Sequence, residues 1–325
     1  MECVLSIVDD GASLVALATT TGGGVVGRAQ SDGPANPRHI GTHSFRRRLE
    51  RVVAEASTGL GDAICLAVTA ALTADPDAVR DFLAEVVPLD RERVRVAPYE
   101  QCALAGAVGT VGPERAIVIR ADVMSRGWGV GTGGREASCG GFGAVFGDEG
   151  SAYQIGVLGI QAALRALERR ARNTVPKSLL LSHYGIASYH ELLRPEHEEP
   201  ALDRYQIAGF APAVFEGGQR DDQVALDILE QAGRDLATMA LALVNELDLI
   251  DQSFQVLPTG RVIELRGALM ETFIRTLKTK TAKANLIREG MGAAAGGALL
   301  AVEHLGLKVR PEIAETLRSS LQARA

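Results

Sequence analysis

The sequence lacks three features that would each indicate a particular class of protein. Its four cysteines lie far apart, which excludes paired zinc-site spacing and predicts buried, reduced thiols in a cytoplasmic protein. No segment concentrates basic residues in a chain of net charge -6, so no nucleic-acid partner is expected. The longest small-apolar run, at 291–302, is too short to span a bilayer, and no basic lead of a signal peptide opens the chain, so no membrane partner is expected.

Aromatic residues are also scarce, at 4%, whereas glycine is abundant, with 36 residues. The glycines cluster without a period, which excludes a collagen-like chain. Their densest cluster is CGGFGAVFGDEGSAYQIG at 139–156, which carries two adjacent acids and runs into a helical pattern. The six histidines show no metal-ligand spacing, and we expect no metal site made of protein ligands.

Apolar patterns predict an α/β protein with two lobes and a cleft between them. Three strand patterns separated by glycine turns open the chain, and helix and strand then alternate up to about residue 109. A second module begins in the same way near residue 115 and becomes mostly helical from Ser151 up to about residue 248. The predicted lobes are an N-terminal lobe at 1–112, a C-terminal lobe with helical insertions at 113–295, and closing helices at 296–325 that pack back on the N-terminal lobe.

Several segments, taken in order, resemble one known family. GGFGAVFGDEGSAYQIG at 140–156 resembles the sugar-binding loop GGWGxxxGDEGSxxWIG of the N-acetylglucosamine kinases and the wider BadF/BadG/BcrA/BcrD-type ATPases. GPANPRH at 33–39, VFEGGQRDDQVALDIL at 214–229 and AAAGGALLAVEHLG at 293–306 resemble further family segments. The resemblance implies a two-lobed actin/hexokinase-like, ribonuclease H-like ATPase fold with a mixed sheet in each lobe.

The resemblance also implies an activity, which is ATP-dependent phosphorylation of an amino sugar with Mg²⁺ by a homodimer. The sugar contacts that it implies are Asn36, Gly141, Phe142 and Asp148, with Phe142 in place of the usual tryptophan. A second interpretation of this loop stays open. Its acids would then simply cap the helix that begins near Ser151, at the positive end of the helix dipole.

Two segments correspond to the phosphate loops of the family. At the first loop, DGGGTKT in the family, Asp9, Gly11 and Ser13 match, whereas Asp10 and Ala12 stand at glycine positions. An ordinary Asp-Gly hairpin turn is the open alternative there.

At the second loop, AGTGS in the family, this chain has ADVMS at 121–125, where Ser125 still matches. GVGTGG at 129–134 is interpreted as a hairpin turn. On the adenosine side of the family site, only Gly260 is left of a glycine pair, and Arg261 follows it.

The catalytic acid of the family lies in a pattern like NDAxAALAGA. Here PYEQCALAGA at 98–107 puts Tyr99 at the aspartate position. Tyrosine ordinarily loses its proton only near pH 10, so it is a poor base, and losing a general base costs about 10²- to 10⁴-fold in rate. Glu100 is the fallback base.

The sugar loop matches the family pattern more fully than the phosphate loops and the catalytic position do. Two hypotheses follow from this difference. In the first, the chain is a sugar kinase that uses ATP and Mg²⁺ through altered residues, with Glu100 as base. In the second, it is a catalytically inactive pseudokinase that acts as a sugar-binding sensor or scaffold.

Overall fold

The chain forms two compact units. The computed structural model describes residues 2–9, 13–31, 33, 40–58, 60, 64–70, 76–86, 89–193, 202–288 and 290–323, and the backbone alone of 64–70, 76, 78, 79 and 193. The first unit comprises Met1–Glu114 and Ile287–Ala325, and the second comprises Arg115–Leu286. The boundary predicted after residue 295 lies within the helix Ala293–His304, all of which belongs to the first unit.

Within the described residues, the two units are built from ten strands and twelve α-helices. The strands are β1 (Cys3–Asp9), β2 (Leu14–Thr20), β3 (Val25–Gln30), β4 (Ile64–Ala70), β5 (Val94–Ala97), β6 (Ala116–Ala121), β7 (Ser125–Val130), β8 (Glu136–Gly140), β9 (Phe254–Thr259) and β10 (Ala284–Leu286). The helices are α1 (Thr42–Ala56), α2 (Pro76–Val86), α3 (Tyr99–Val108), α4 (Ala152–Leu167), α5 (Val175–Tyr184), α6 (Arg204–Ala208), α7 (Ala211–Gln219), α8 (Gln223–Glu246), α9 (Arg261–Glu264), α10 (Gly267–Lys280), α11 (Ala293–His304) and α12 (Pro311–Gln322).

The first unit contains a mixed five-stranded sheet in the order β3-β2-β1-β4-β5. β1, β2 and β3 pair antiparallel, whereas β4 and β5 continue the sheet in parallel. One face packs on α1 through residues such as Leu5 and Val52. The other face packs on α11 and α12, with Leu17, Leu299 and Leu317 in one buried cluster. Successive side chains of a strand point to opposite faces of the sheet. Helices cover both of these faces.

The second unit repeats the same strand plan. Its sheet has the order β8-β7-β6-β9-β10, again with an antiparallel half and a parallel half. The long helix α8 packs on this sheet and on α10, and buries a stripe that includes Leu236, Ala240 and Leu243. The prediction that the second module begins like the first is confirmed, and so is the mixed sheet in each lobe.

The cysteines behave as buried thiols where the structure describes them. Cys3 and Cys102 are buried thiols, and Cys139 is half-buried. Burial raises the pKa of Cys102 to about 12, so this thiol stays protonated at neutral pH. The side chain of Cys65 lies outside the described residues.

No helix in the described part of the chain combines the length and the apolar character needed to cross a bilayer.

Helices α3 and α11 approach each other closely at glycine positions. A Cβ on Gly296 would lie 1.8 Å from the carbonyl oxygen of Cys102 and 2.5 Å from the nitrogen of Gly106. Both neighbours are backbone atoms of α3, so no side-chain rotation can relieve such a contact. The packing of α11 on α3 therefore depends on the absence of a side chain at Gly296.

We expect Gly296→Ala to lower the free energy of unfolding by about 3 kcal/mol, because the two helix backbones must move apart. Urea denaturation of the full chain measures this change. Gly22→Ala is the matched control, since a Cβ there would first meet the Thr20 hydroxyl at 3.7 Å. Equal stability of the two variants would contradict the proposed close packing.

Candidate functional site

Two segments of the second unit that the sequence singles out are neighbours in the structure. The turn at 122–124 joins β6 to β7, and the glycine-rich loop follows β8. The hydroxyl of Ser125 donates to the carbonyl oxygen of Glu149 at 2.7 Å, and the N–H of Ala152 donates to the carbonyl oxygen of Asp122 at 2.7 Å. The segments predicted to hold phosphate and sugar are thus joined by one side-chain and one backbone hydrogen bond.

Asp148 is the buried centre of this arrangement. Its carboxylate has no exposed surface, and it adopts a left-handed φ of 64°, which aspartate tolerates better than most residues. Arg204 donates to one carboxylate oxygen, and the N–H of Ser125 donates to the other at 3.4 Å. Arg204 also donates to the carbonyl oxygen of Val123 at 3.3 Å. One guanidinium therefore links the glycine-rich loop to the β6–β7 turn.

Burial raises the pKa of Asp148, and the nearby Arg204 guanidinium and the Ser125 N–H oppose that rise. A sugar contact made directly by Asp148 stays a prediction. In this geometry its carboxylate instead holds the loop in place.

The exposed part of the loop is apolar. Phe142, Val145 and Phe146 are 76%, 82% and 83% exposed, so the ring that replaces the family's tryptophan is open to a ligand. Gly141 precedes this ring with a φ of 78°. At the far end, the hydroxyl of Ser151 accepts the N–H of Gln154 at 3.2 Å and caps α4. The GDEGS segment thus caps α4 through the Ser151 hydroxyl, whereas its acid Asp148 is paired with Arg204.

Asp122 carries a second carboxylate of the site, and the sequence analysis did not single it out. It accepts from the Nε of buried Arg120 at 3.0 Å, and from the N–H and Nε of Arg261 at 3.0 and 3.4 Å. Gly260 packs against the same turn, because a Cβ there would lie 2.5 Å from the carbonyl oxygen of Ala121. The turn thus carries a carboxylate that accepts hydrogen bonds from Arg120 and Arg261.

The turn at 122–124 lacks the glycines that a phosphate loop of this family carries. A phosphate loop needs backbone N–H groups that converge on an anion without intervening side chains, whereas this turn carries Asp122 and Met124 at the two glycine positions. Further negative charge lies close by. Glu149 adds to the rise in pKa that burial causes at Asp235 and Cys139. No cluster of three metal-ligand side chains occurs within the described residues.

The candidate residues of the first unit lie at the ends of strands. β1 and β2 pair antiparallel up to Asp9 and Leu14 on either side of that segment, and both the phosphate-loop and the hairpin-turn interpretation of it stay predictions. Asp9 and Ser13 are buried, and the Ser13 hydroxyl accepts from the side chain of Gln30 at 2.9 Å. Gly11 and Asn36 lie outside the described residues.

Tyr99 and Glu100 form the first turn of α3, immediately after β5. Tyr99 is 5% exposed and Glu100 is 0% exposed, and neither Glu100 oxygen has a hydrogen-bond partner among the described residues. Both side chains are thus almost wholly inaccessible to solvent in this structure. A role for Glu100 as base stays a prediction, and it would need its carboxyl group to emerge from the interior.

We expect Arg204→Gln to lower the free energy of unfolding by about 2–3 kcal/mol near pH 8, because a buried carboxylate loses its counter-charge. Loss of this charge raises the pKa of Asp148 further. When folding raises the pKa of a carboxyl group, the free energy of unfolding falls as the pH rises above the pKa that this group has in the unfolded chain. The loss should therefore be smaller near pH 5, where Asp148 is more fully protonated. Urea titrations at both pH values measure it.

Arg170→Gln is the control for this prediction, since the pair of Arg170 with Glu168 is exposed. Such surface pairs contribute about 0–1 kcal/mol. A loss of stability in Arg204→Gln that is the same at both pH values would show that Arg204 does not act through the charge of Asp148.

Curated proteins include relatives of this chain. Over 276 residues it is 25% identical to the N-acetylmuramic acid/N-acetylglucosamine kinase of Clostridium acetobutylicum, covering 83% of this chain and 88% of that relative. Over 218 residues it is 24% identical to the N-acetyl-D-glucosamine kinase of Dictyostelium discoideum, covering 67% and 68%.

Solved structures share the fold. A candidate N-acetylglucosamine kinase from Chromobacterium violaceum superposes with a TM-score of 0.70 at 19% identity, covering 93% of this chain and 99% of that one. A ROK family glucokinase from Streptomyces griseus, solved with glucose and AMPPNP, gives a TM-score of 0.58 at 15% identity, covering 91% and 98%. The chain thus has the sugar kinase and actin-like ATPase fold. The sequence model of one family matches it from residue 8 to residue 302, and the chain therefore belongs to the BadF/BadG/BcrA/BcrD ATPase family.

Proposed function

We propose that this chain binds an amino sugar and that its own transfer of phosphate from ATP is lost or strongly reduced. The observation that carries this proposal is the carboxylate of Asp122. It lies in the turn where the family resemblance puts a phosphate loop, and it is held by Arg120 and by the N–H of Arg261.

The electrostatic argument is direct. A phosphate charge about 4 Å from a carboxylate is repelled by about 4 kcal/mol at an effective dielectric of 20. The N–H of Arg261 and the guanidinium of Arg120 would otherwise attract an anion, but they already bind Asp122. Tyr99 at the expected base position adds a second obstacle, because tyrosine accepts a proton from a sugar hydroxyl poorly at neutral pH.

The sugar side supports binding. The ring of Phe142 is exposed and can cover the apolar face of a sugar, as aromatic rings cover other apolar surfaces. Glu149 is exposed beside the buried Asp148 and can accept hydrogen bonds from sugar hydroxyls. The curated relatives are kinases of N-acetylglucosamine and N-acetylmuramic acid, which makes an N-acetylated amino sugar the first ligand to test.

A second candidate function is phosphorylation of the same sugar through altered residues. The family membership and the two curated kinases favour it. It would require ATP, Mg²⁺ and a base other than Tyr99, with Glu100 as the nearest acid in the sequence. The same binding experiment separates the two candidates.

Isothermal calorimetry of the full chain should show binding of N-acetylglucosamine or N-acetylmuramic acid and no binding of ATP–Mg²⁺. Phe142→Ala should weaken sugar binding about three- to tenfold, because the aromatic cover is lost. Phe146→Ala is the matched control, since it removes an equally exposed ring of the same loop. Tight ATP–Mg²⁺ binding together with sugar-dependent ATP consumption would establish the kinase instead.

A second prediction tests Asp122 itself. Asp122→Gly should lower the melting temperature, because buried Arg120 loses its counter-charge. Pyrophosphate should then stabilise the variant and leave the parent chain almost unchanged, since an added anion replaces the missing carboxylate. Thermal-shift curves with pyrophosphate and with an equal ionic strength of chloride measure the difference. A variant that pyrophosphate stabilises no more than it does the parent would refute the role given to Asp122.

A further inference from the structure

A cavity of about 350 Å³ lies within the first unit, on the face of the sheet that α11 and α12 cover. Its apolar wall includes Val15 and Leu17 of β2, Met291 before α11, and Leu321 of α12. Leu17 is 1% exposed and belongs to the buried cluster beneath α12, so the wall is continuous with the core. The volume falls at the lower end of the range of about 300–1,000 Å³ that is typical of small-molecule sites.

Two arginines supply the charge at this cavity. Arg28 lies on β3 directly opposite Leu17, and Arg318 lies on α12. Among the residues that the structure describes, no acid lines the cavity and neither arginine forms an ion pair. The chain as a whole is acidic, with a net charge of -6, so two such arginines at one cavity form a local positive site.

The guanidinium of Arg318 lies beside the end of a helix. A Cβ on Gly109 would lie 3.7 Å from Nη2 of Arg318, which places the guanidinium beside the C-terminal end of α3. The partial negative charge of that helix end favours a cation there. Arg318 is therefore held close to the cavity without a carboxylate that would neutralise it.

We propose that this cavity binds a small carboxylic acid with an apolar body. Arg28 and Arg318 hold the carboxylate through charge-assisted hydrogen bonds. The hydrocarbon part contacts Leu17, Met291 and Leu321. Such a ligand joins β3 to α12, and so it stabilises the docking of the C-terminal helix on the sheet. This site lies wholly within the first unit and does not depend on the proposed sugar site.

Calorimetry of the full chain with octanoate, octan-1-ol and octylammonium tests the proposal. Octanoate should bind with a one-to-one stoichiometry and raise the melting temperature. Octan-1-ol keeps the apolar body without the charge, and octylammonium reverses the charge, so both should bind at least about tenfold more weakly. Acetate carries the carboxylate alone and should show no measurable binding.

Arg28→Gln and Arg318→Gln should each weaken octanoate binding about tenfold, because one charge-assisted hydrogen bond is lost in each variant. Arg51→Gln is the matched control, since it removes one exposed arginine of the same unit away from the cavity. Ala294→Leu fills the cavity and should abolish binding, and the arginine variants decide the question if that protein does not fold.

Equal affinity for octanoate and octan-1-ol would overturn the proposal. So would octanoate affinity that survives both arginine substitutions unchanged.

Discussion

The ion pair between Asp148 and Arg204 is the interaction on which the candidate site depends. It fastens the glycine-rich loop to the β6–β7 turn, and it leaves the apolar tip of the loop to face solvent. A buried carboxylate is tolerated only when a cation and hydrogen-bond donors offset its lost hydration. The exposed ring of Phe142 is therefore presented by a loop whose shape is set a few residues away by charge pairing, rather than by packing of the ring itself.

Asp148 and Asp122 are both nearly inaccessible acids at neighbouring turns, yet they have opposite consequences for ligands. Asp148 orients backbone and leaves the surface above it available. Asp122 accepts hydrogen bonds from the N–H of Arg261 and the guanidinium of Arg120, which are donors that an incoming anion would also need. Under the proposed function, the same local chemistry favours a neutral, hydroxyl-rich ligand and opposes a highly charged one.

Much of the fold could be predicted from the sequence, because period-two and helical apolar patterns are strong where strands and helices are buried. α1, for example, carries Leu49, Val52, Val53 and Ala56 at helical spacing and buries all four, within the stretch where alternating helices and strands are expected. The elements α9, α10 and β10 were missed. β10 has three residues and α9 has four, which is too few for a pattern. The stripe of Leu269, Phe273 and Leu277 in α10 was visible in the sequence and could have been used.

The site was less predictable than the fold. Motif comparison pointed to two loops that lie side by side in the structure, but not to the residues that hold them. Arg204 is 56 residues from Asp148, and nothing local in its sequence marks it. Arg120 did give a signal, since a charged residue in an otherwise apolar strand, two positions before an acid, indicates a buried pair on one face.

The repeated strand plan has a consequence for how the proposed loss of phosphate transfer could be reversed. By strand order, β1–β2 and β6–β7 are equivalent antiparallel pairs. Under the proposed function, the segments that follow β1 and β6 carry larger side chains where the resemblance expects glycine, Asp10 and Ala12 in one and Asp122 and Met124 in the other. Restoring glycine in one segment alone would then leave the larger side chains of the other in place, so both segments would have to change together.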